Sequence, residues 1–243
     1  MKKLFTVVFV FLLTVSSSTT LRAQSDCCGL GSIFQSLVQS GIYGGYGLQL
    51  YSAKGLNEVL PDGFKEFKTA YGWRAGANIV GFRQNDFLVA LKFYYQSMTE
   101  KQDRTDEQNG ETFTQELDLK LNQLGLGMSF SYIIGKNFDI RIFDGILTWN
   151  STKLTNSFQS SNPPEDDVYE SPESSIGFTF DTGVVWYPFP PYLSIEVIGG
   201  YSIFSIDKAT LKSGSSTLTT ITDPINGGGL FAMAVLTIGI PFN

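Results

Sequence analysis

Residues 227–243 read "GGGLFAMAVLTIGIPFN". From Leu230 to Phe242 every even position is apolar, and Met233, Val235 and Thr237 fall among the odd ones. Side chains alternate between the two faces of an extended strand, so the even residues form one unbroken apolar face. Its neighbours decide what that face meets.

The same period-two test gives seven further strands. The first is "GIYGGYGLQLYS" (41–52), with Ile42, Tyr46, Leu48 and Leu50 on one face. In "TAYGWRAGANIVGF" (69–82), Tyr71, Trp73, Ala75, Ala77 and Ile79 oppose Gly72, Arg74, Gly76 and Asn78. "FLVALKFYYQSM" (87–98) sets Phe87, Val89, Leu91, Phe93 and Tyr95 against Lys92, Tyr94 and Gln96. The fourth, "FTQELDLKLNQLGLGMSFSYII" (113–134), is apolar at odd Leu117, Leu119 and Leu121, then at even Leu124, Leu126, Met128, Phe130 and Tyr132. A change of parity within one strand calls for an extra residue, which places a β-bulge near Asn122 or Gln123. The fifth, "FDIRIFDGILTW" (138–149), has Ile140, Ile142 and Ile146 on one face, interrupted by Asp144. "SIGFTFDTGVVWY" (175–187) and "LSIEVIGGYSIF" (193–204) complete the set.

Connections between these strands alternate in length. Short ones occupy 83–86, 135–137 and 188–192; long ones run over 53–67, 101–112, 153–173 and 207–226. Strict alternation puts all long loops at one end and both termini at the other. The pattern predicts an all-β fold: an eight-stranded antiparallel up-and-down transmembrane β-barrel over 41–243, with tight turns on one side of a membrane and long loops on the other. Each strand reaches the roughly 9–11 residues that cross a bilayer at a tilt. Closure removes the exposed edges that such apolar strands would otherwise offer.

Composition agrees. Of 243 residues, 16% are charged, below the ~25% of soluble domains, and 14% are aromatic. The N-terminus, "MKKLFTVVFVFLLTVSSSTTLRAQ", joins basic Lys2 and Lys3 to an apolar run over Leu4–Val15 and a small residue, Ala23. That reads as a signal peptide over 1–23, since the run is shorter than the ~20 residues of a spanning helix. Removing Lys2, Lys3 and Arg22 takes the 17 basic residues to 14 against 23 acidic ones. So acidic an exported chain excludes nucleic acid as a partner, because phosphate contacts need a basic surface. The segment 24–40 carries Ile33, Phe34, Leu37 and Val38 at helical spacing and is expected as a short periplasmic piece. Cys27 and Cys28 are adjacent and make only a strained ring with each other; a structural role, a disulfide, a metal site and a lipid anchor stay open.

The stretch "ELDLKLNQLGLGMSFSYIIGKNFDIRIFDG" (116–145) resembles the central hairpin of the outer-membrane β-barrel domain family, the small eight-stranded OmpA-like barrels. "LTIGIPFN" (236–243) is similar to their C-terminal insertion signal, carried here by Leu236, Ile238, Ile240 and Phe242. The resemblance implies residence in the outer membrane of a Gram-negative cell envelope, among the porin family. It implies outer-membrane lipid, lipopolysaccharide and the barrel-insertion machinery as partners, with a surface or periplasmic protein as a further one.

If the apolar faces meet lipid, the opposite faces fill the lumen. Arg74, Lys92 and Arg141 with Asp139, Asp181 and Glu196 then form a balanced charge network, and eight strands leave room for side chains and little else. Trp73, Phe93, Trp149, Trp186 and Tyr187 are expected in aromatic girdles at the lipid–water boundaries. The chain contains no His, the usual general base of hydrolytic sites and the commonest zinc ligand. No catalytic residue, metal site or cofactor is expected, and the acidic stretches 101–111 and 162–173 lack calcium-loop spacing. The role read from the sequence is non-enzymatic: a plugged barrel that stabilises the envelope or binds through its long loops. The alternatives are a narrow channel or transporter for a small solute or hydrophobic ligand, an accessory part of an envelope secretion machine, and a soluble calyx with its faces inverted.

Overall fold

The structure, a computed structural model, describes residues 41–108, 111–159, 165–190 and 192–239. The expected leader 1–23, the segment 24–40 with Cys27 and Cys28, and Ile240 and Phe242 of the expected insertion signal lie outside the described residues. The elements are β1 (Gly41–Leu50), α1 (Lys54–Asn57), β2 (Thr69–Gln84), β3 (Phe87–Gln108), β4 (Glu111–Ile133), β5 (Phe138–Gln159), β6 (Glu165–Glu170), β7 (Ser175–Phe189), β8 (Leu193–Ile203), β9 (Ile206–Ser213), β10 (Thr220–Ile225) and β11 (Leu230–Gly239).

Eight of these strands close a barrel. Neighbours run antiparallel from β1 through β2, β3, β4, β5, β7 and β8 to β11, and β11 pairs back onto β1 from Gly41↔Gly239 to Gln49↔Phe231. The short ends are tight: Gln84 pairs with Phe87 around a two-residue turn, in which Asn85 takes φ 56°. Asn tolerates that left-handed conformation better than most residues.

The outward faces carry an apolar belt. Ile42 and Tyr46 on β1, Tyr71 and Trp73 on β2, Leu126 and Phe130 on β4, Phe178 on β7, Val197 on β8, and Leu236 and Ile238 on β11 are all exposed. So wide a belt on a closed barrel is stable against lipid and not against water. The chain is therefore built as an outer-membrane barrel. The inverted calyx fails on the same observation, since Arg74, Lys92, Arg141 and Glu196 point inward.

Three of the four expected long loops are strands instead. β3 and β4 continue as a hairpin through 101–108 and from Glu111, β5 runs on to Gln159 and is joined by β6, and 207–226 contains β9 and β10. The described residues thus form eleven strands, eight of them in the barrel. At the outer end β5 changes partner, from β7 (Asn150↔Ser175) to β6 (Lys153↔Glu170), while β6 pairs with β9 and β9 with β10. The chain between β1 and β2 completes this head, at the barrel end away from the short turns. Ser52 N–H donates to the Gly227 carbonyl at 2.8 Å, Asn226 N–H returns to Ser52 at 2.9 Å, and Gly55 of α1 lies against the Thr222–Asp223 backbone.

The head explains the parity change in β4, which is not a bulge. Pairing with β3 is continuous through Leu121↔Met98, Asn122↔Ser97 and Gln123↔Gln96. Leu117, Leu119 and Leu121 face inward along with Gln123 and Gly125. What changes is the surroundings. Within the membrane the apolar side is outside; above it the outside is water, so the apolar side is inside. Leu117, Leu119 and Leu154 bury there with Leu56, Phe67, Tyr169, Ile206, Ile221 and Ile225 in the cluster that closes the head.

A bulge does occur, in β5. Pairing slips between Arg141 and Asp144 against β7, and at the same place against β4. Ile142 and Phe143 both point outward, 49% and 42% exposed, so Arg141 and Asp144 both point inward. The residue that seemed to interrupt an apolar face is a lumen residue.

Candidate functional site

Among the described residues, the lumen concentrates charge away from water. Arg74, Lys92, Asp139, Arg141, Asp181 and Glu196 are all buried, and Asp144 joins them without measurable exposure. Alternation on each strand delivers them: Arg74 from β2, Lys92 from β3, three residues from β5 around its bulge, Asp181 from β7 and Glu196 from β8.

Arg141 is the hub. Its Nη1 lies 2.7 Å from Glu196 Oε2 and its Nε 3.4 Å from Asp144 Oδ1. Lys92 Nζ donates to Asp144 Oδ2 at 2.8 Å. Glu196 also accepts the Thr237 hydroxyl at 3.1 Å. Arg74 reaches Asp181 only at 3.8 Å; its Nε donates to Gln96 Oε1 at 2.9 Å, and Gln96 donates to Gln49 at 2.9 Å. The Arg74 guanidinium also sits over the Tyr94 ring, 4.1 Å from its centroid. Tyr94 finds its space against Gly125, where a Cβ would collide with the ring.

Around this network lie neutral polar groups. The Tyr94 hydroxyl donates to Gln123 at 2.6 Å, Gln123 donates to Asn150 at 2.8 Å, and Thr179 and Ser202 share a bond of 3.0 Å. At the short-turn end, a cavity of about 20 Å³ lies among Asn78, Lys92, Arg141, Tyr187, Glu196 and Thr237. That is room for about one water.

Each expected site residue among those described has a definite place. The six expected charges share the lumen, and Asp139 is held by the Tyr187 hydroxyl at 2.6 Å. Tyr187 is consequently no girdle residue: it follows Asp181, Gly183 and Val185 on the inward parity of β7, while Trp186 points out. Trp73, Phe93 and Trp186 are exposed on the belt, with the Trp73 and Tyr95 rings 5.6 Å apart. Trp149 is half-buried on the outward side of β5, in the row formed by Tyr95 and Leu124. Leu236 and Ile238 face outward at the end of β11. Asp144 and the amides Gln123 and Asn150 were not foreseen. Inward parity marks the amides, and the paired outward Ile142 and Phe143 mark Asp144.

A second candidate surface is outside. A cleft of about 550 Å³ runs between the β1–β2 connection and β3, lined by Phe64, Lys65, Lys68, Glu100, Lys101 and Asp103 among others. Glu100 closes its base by accepting the Tyr51 hydroxyl at 2.6 Å and the Lys68 and Thr69 amides at 3.0 and 2.7 Å. Burial and this carboxylate push the Tyr51 phenol well above its usual range. Lys101 is raised as well, by its bonds to Glu116 and Asp118.

The sequence matches no protein-family model and no curated relative. Solved structures similar in architecture include Neisserial surface protein A, at 13% identity over 83% of this chain and 96% of that one, with a TM-score of 0.45. Ail, the attachment invasion locus protein of Yersinia pestis, matches at 17% identity over 82% and 95%, with a TM-score of 0.36. The outer membrane protease OmpT from Escherichia coli matches at 10% over 83% and 94%, with a TM-score of 0.37. At these scores the likeness assigns neither an activity nor a partner.

Proposed function

We propose that this is a sealed, non-enzymatic outer-membrane barrel, exported by its signal peptide, whose working part is the folded β head that it holds outside the cell. The observation that carries this reading is the filling of the interior. Among the described residues the ion-paired lumen holds a cavity of about 20 Å³ at its short-turn end, and the apolar cluster of the head has Leu56, Phe67, Leu119 and Ile225 fully buried. A conducting path needs connected water, and packed apolar side chains above buried ion pairs interrupt it. A head with its own core also differs from a set of mobile loops: it presents a fixed surface to the outer leaflet, lipopolysaccharide or an external partner.

The test is conductance. The purified barrel, inserted into planar bilayers, is expected to give no stepwise current, whereas a variant with Leu56, Leu119 and Ile225 changed to Ser is expected to admit ions. Regular single-channel steps from the unmodified protein would support the channel reading instead.

A further inference from the structure

Among the lumen side chains that the structure describes, the charges do not balance once Asp144 is counted. Three cations, Arg74, Lys92 and Arg141, face four carboxyls, Asp139, Asp144, Asp181 and Glu196, all of them buried. Three of the carboxyls hold short contacts: Asp139 with the Tyr187 hydroxyl, Asp144 with Lys92 and Glu196 with Arg141. Asp181 differs. Among the described residues neither of its oxygens has a hydrogen-bond donor, and the nearest cation, Arg74, stands 3.8 Å away with its Nε committed to Gln96. Asp181 is also the direct cross-strand partner of Asp144, whose Oδ1 likewise lacks a hydrogen-bonded donor. Two ionised carboxylates so placed repel each other, and holding Asp181 ionised in the buried lumen with no hydrogen-bond donor and only the Arg74 cation at 3.8 Å costs more than binding a proton there.

We infer that the folded barrel holds one proton on the Asp144–Asp181 carboxyl pair, resident on Asp181, which makes this pair a proton-binding site in the middle of the lumen. The groups that face it are Arg74 from β2, Lys92 and Tyr94 from β3, Arg141 on β5 and Glu196 from β8. Bound there, the proton turns an acceptor-only side chain into a donor, across the strand pair from Asp144, whose Oδ1 has the Arg141 Nε 3.4 Å away and no hydrogen bond. These described groups then come to three positive and three negative charges. The inference rests on the sealed-lumen reading, because an aqueous pore would hydrate Asp181 and leave it ionised.

The experiment is infrared spectroscopy of the full-length folded protein in lipid nanodiscs at neutral pH, where exposed carboxyls are ionised. A carbonyl band of a protonated carboxylic acid is expected, shifted in heavy water. Asp181→Asn should remove it while keeping the folded state, because the amide mimics the neutral acid in size and charge. Asp144→Asn should also remove it, since Asp181 then becomes the third negative charge and ionises. A band that survives Asp181→Asn overturns the assignment. Absence of the band from the unmodified protein overturns the proton site whether or not Asp181→Asn folds. The planar-bilayer measurement separates the two readings: no band with no conductance refutes the proton alone, and no band with conductance refutes the sealed lumen as well.

Discussion

Glu196 and Glu170 are both glutamates on strands, both paired with a cation, and they sit in opposite settings. Glu196 meets Arg141 in the lumen with almost no exposed surface, whereas the Glu170–Lys153 pair on the head is about 40% exposed on each side. Removing one partner of a buried pair strands the other charge, at roughly 3–5 kcal/mol. Arg141 keeps Asp144, so Glu196→Ala is expected to cost about 3 kcal/mol, near the lower end of that range. Glu170→Ala is expected to cost under about 1 kcal/mol. Urea unfolding of both variants in detergent, followed by Trp fluorescence, checks the contrast; equal midpoints would mean that the lumen charges do not hold the barrel together.

Tyr51 gives a pH prediction at the same scale. Its phenol is raised in the folded head by burial and by Glu100. The neutral form therefore contributes stability that is whole below the ordinary phenol pKa of about 10 and fades as the pH rises above it. Protease resistance of the head should weaken above about pH 10, by a smaller step in Tyr51→Phe, which has no proton to lose. An identical alkaline profile for the two proteins would remove Tyr51 from the account.

At the scale of the strand, β4 and β5 show what hydrophobic alternation does and does not reveal. Alternation marked out all eight barrel strands, because within the membrane every outward residue meets the same solvent. It failed where that solvent changes. Leu117, Leu119 and Leu121 looked like a register slip, yet they keep one geometry while the medium outside the wall passes from lipid to water. In β5 the error ran the other way, since Asp144 looked misplaced and the bulge at Ile142 and Phe143 makes its position regular. A single sequence gives the product of parity and environment, and the two separate only when neighbouring strands are in place. The charged residues of the lumen were legible because a Lys or Arg on a lipid-facing strand has only one inexpensive direction in which to point. Tyr187 was not, since an aromatic ring near a strand end suits either side.

Two changes test this account. Leu119→Ala is expected to destabilise the head by about 2–5 kcal/mol, the usual cost of emptying a buried Leu site, while the barrel stays folded. Limited proteolysis should then cut within 100–116 or 206–226 and leave the membrane-embedded strands intact. Deleting Phe143 removes the extra residue from β5 and reverses the facing of one part of the strand relative to the other. Asp144 would be turned to lipid, or Arg141 and Asp139 would be, and no compact barrel is expected in either case. A folded product from this deletion would show that the bulge is incidental.

At the scale of the molecule, the belt and the head divide the chain into a part that lipid holds and a part that its own core holds. On the β3–β4–β5 side the wall rises about nine residues past the last pairing with β2, roughly 30 Å at the usual strand rise. On the opposite side β7, β8 and β11 stop at Ser175, Ile203 and Leu230. The whole-molecule prediction is heat-modifiability. Membrane-extracted protein, run unboiled on a denaturing gel, should migrate ahead of the boiled sample and come from the outer-membrane fraction. A single band from the soluble periplasm would contradict the outward belt.

The pairing of β1 with β11 brings Gly41 next to Gly239. The wall is thus a ring whose seam joins the two most distant strands of the chain. Until β11 arrives, β1 and β8 each expose a full unsatisfied edge, so seven strands are no approximation to eight. Assembly must wait for the last strand to be delivered, which ties the rate of barrel formation to export of the whole chain. Disassembly is governed by the same seam in reverse. A closed ring has no free strand from which to fray, so unfolding has to break nine residue pairings along one line almost together. The barrel is accordingly expected to persist through slow unfolding, to a degree out of proportion to its equilibrium stability.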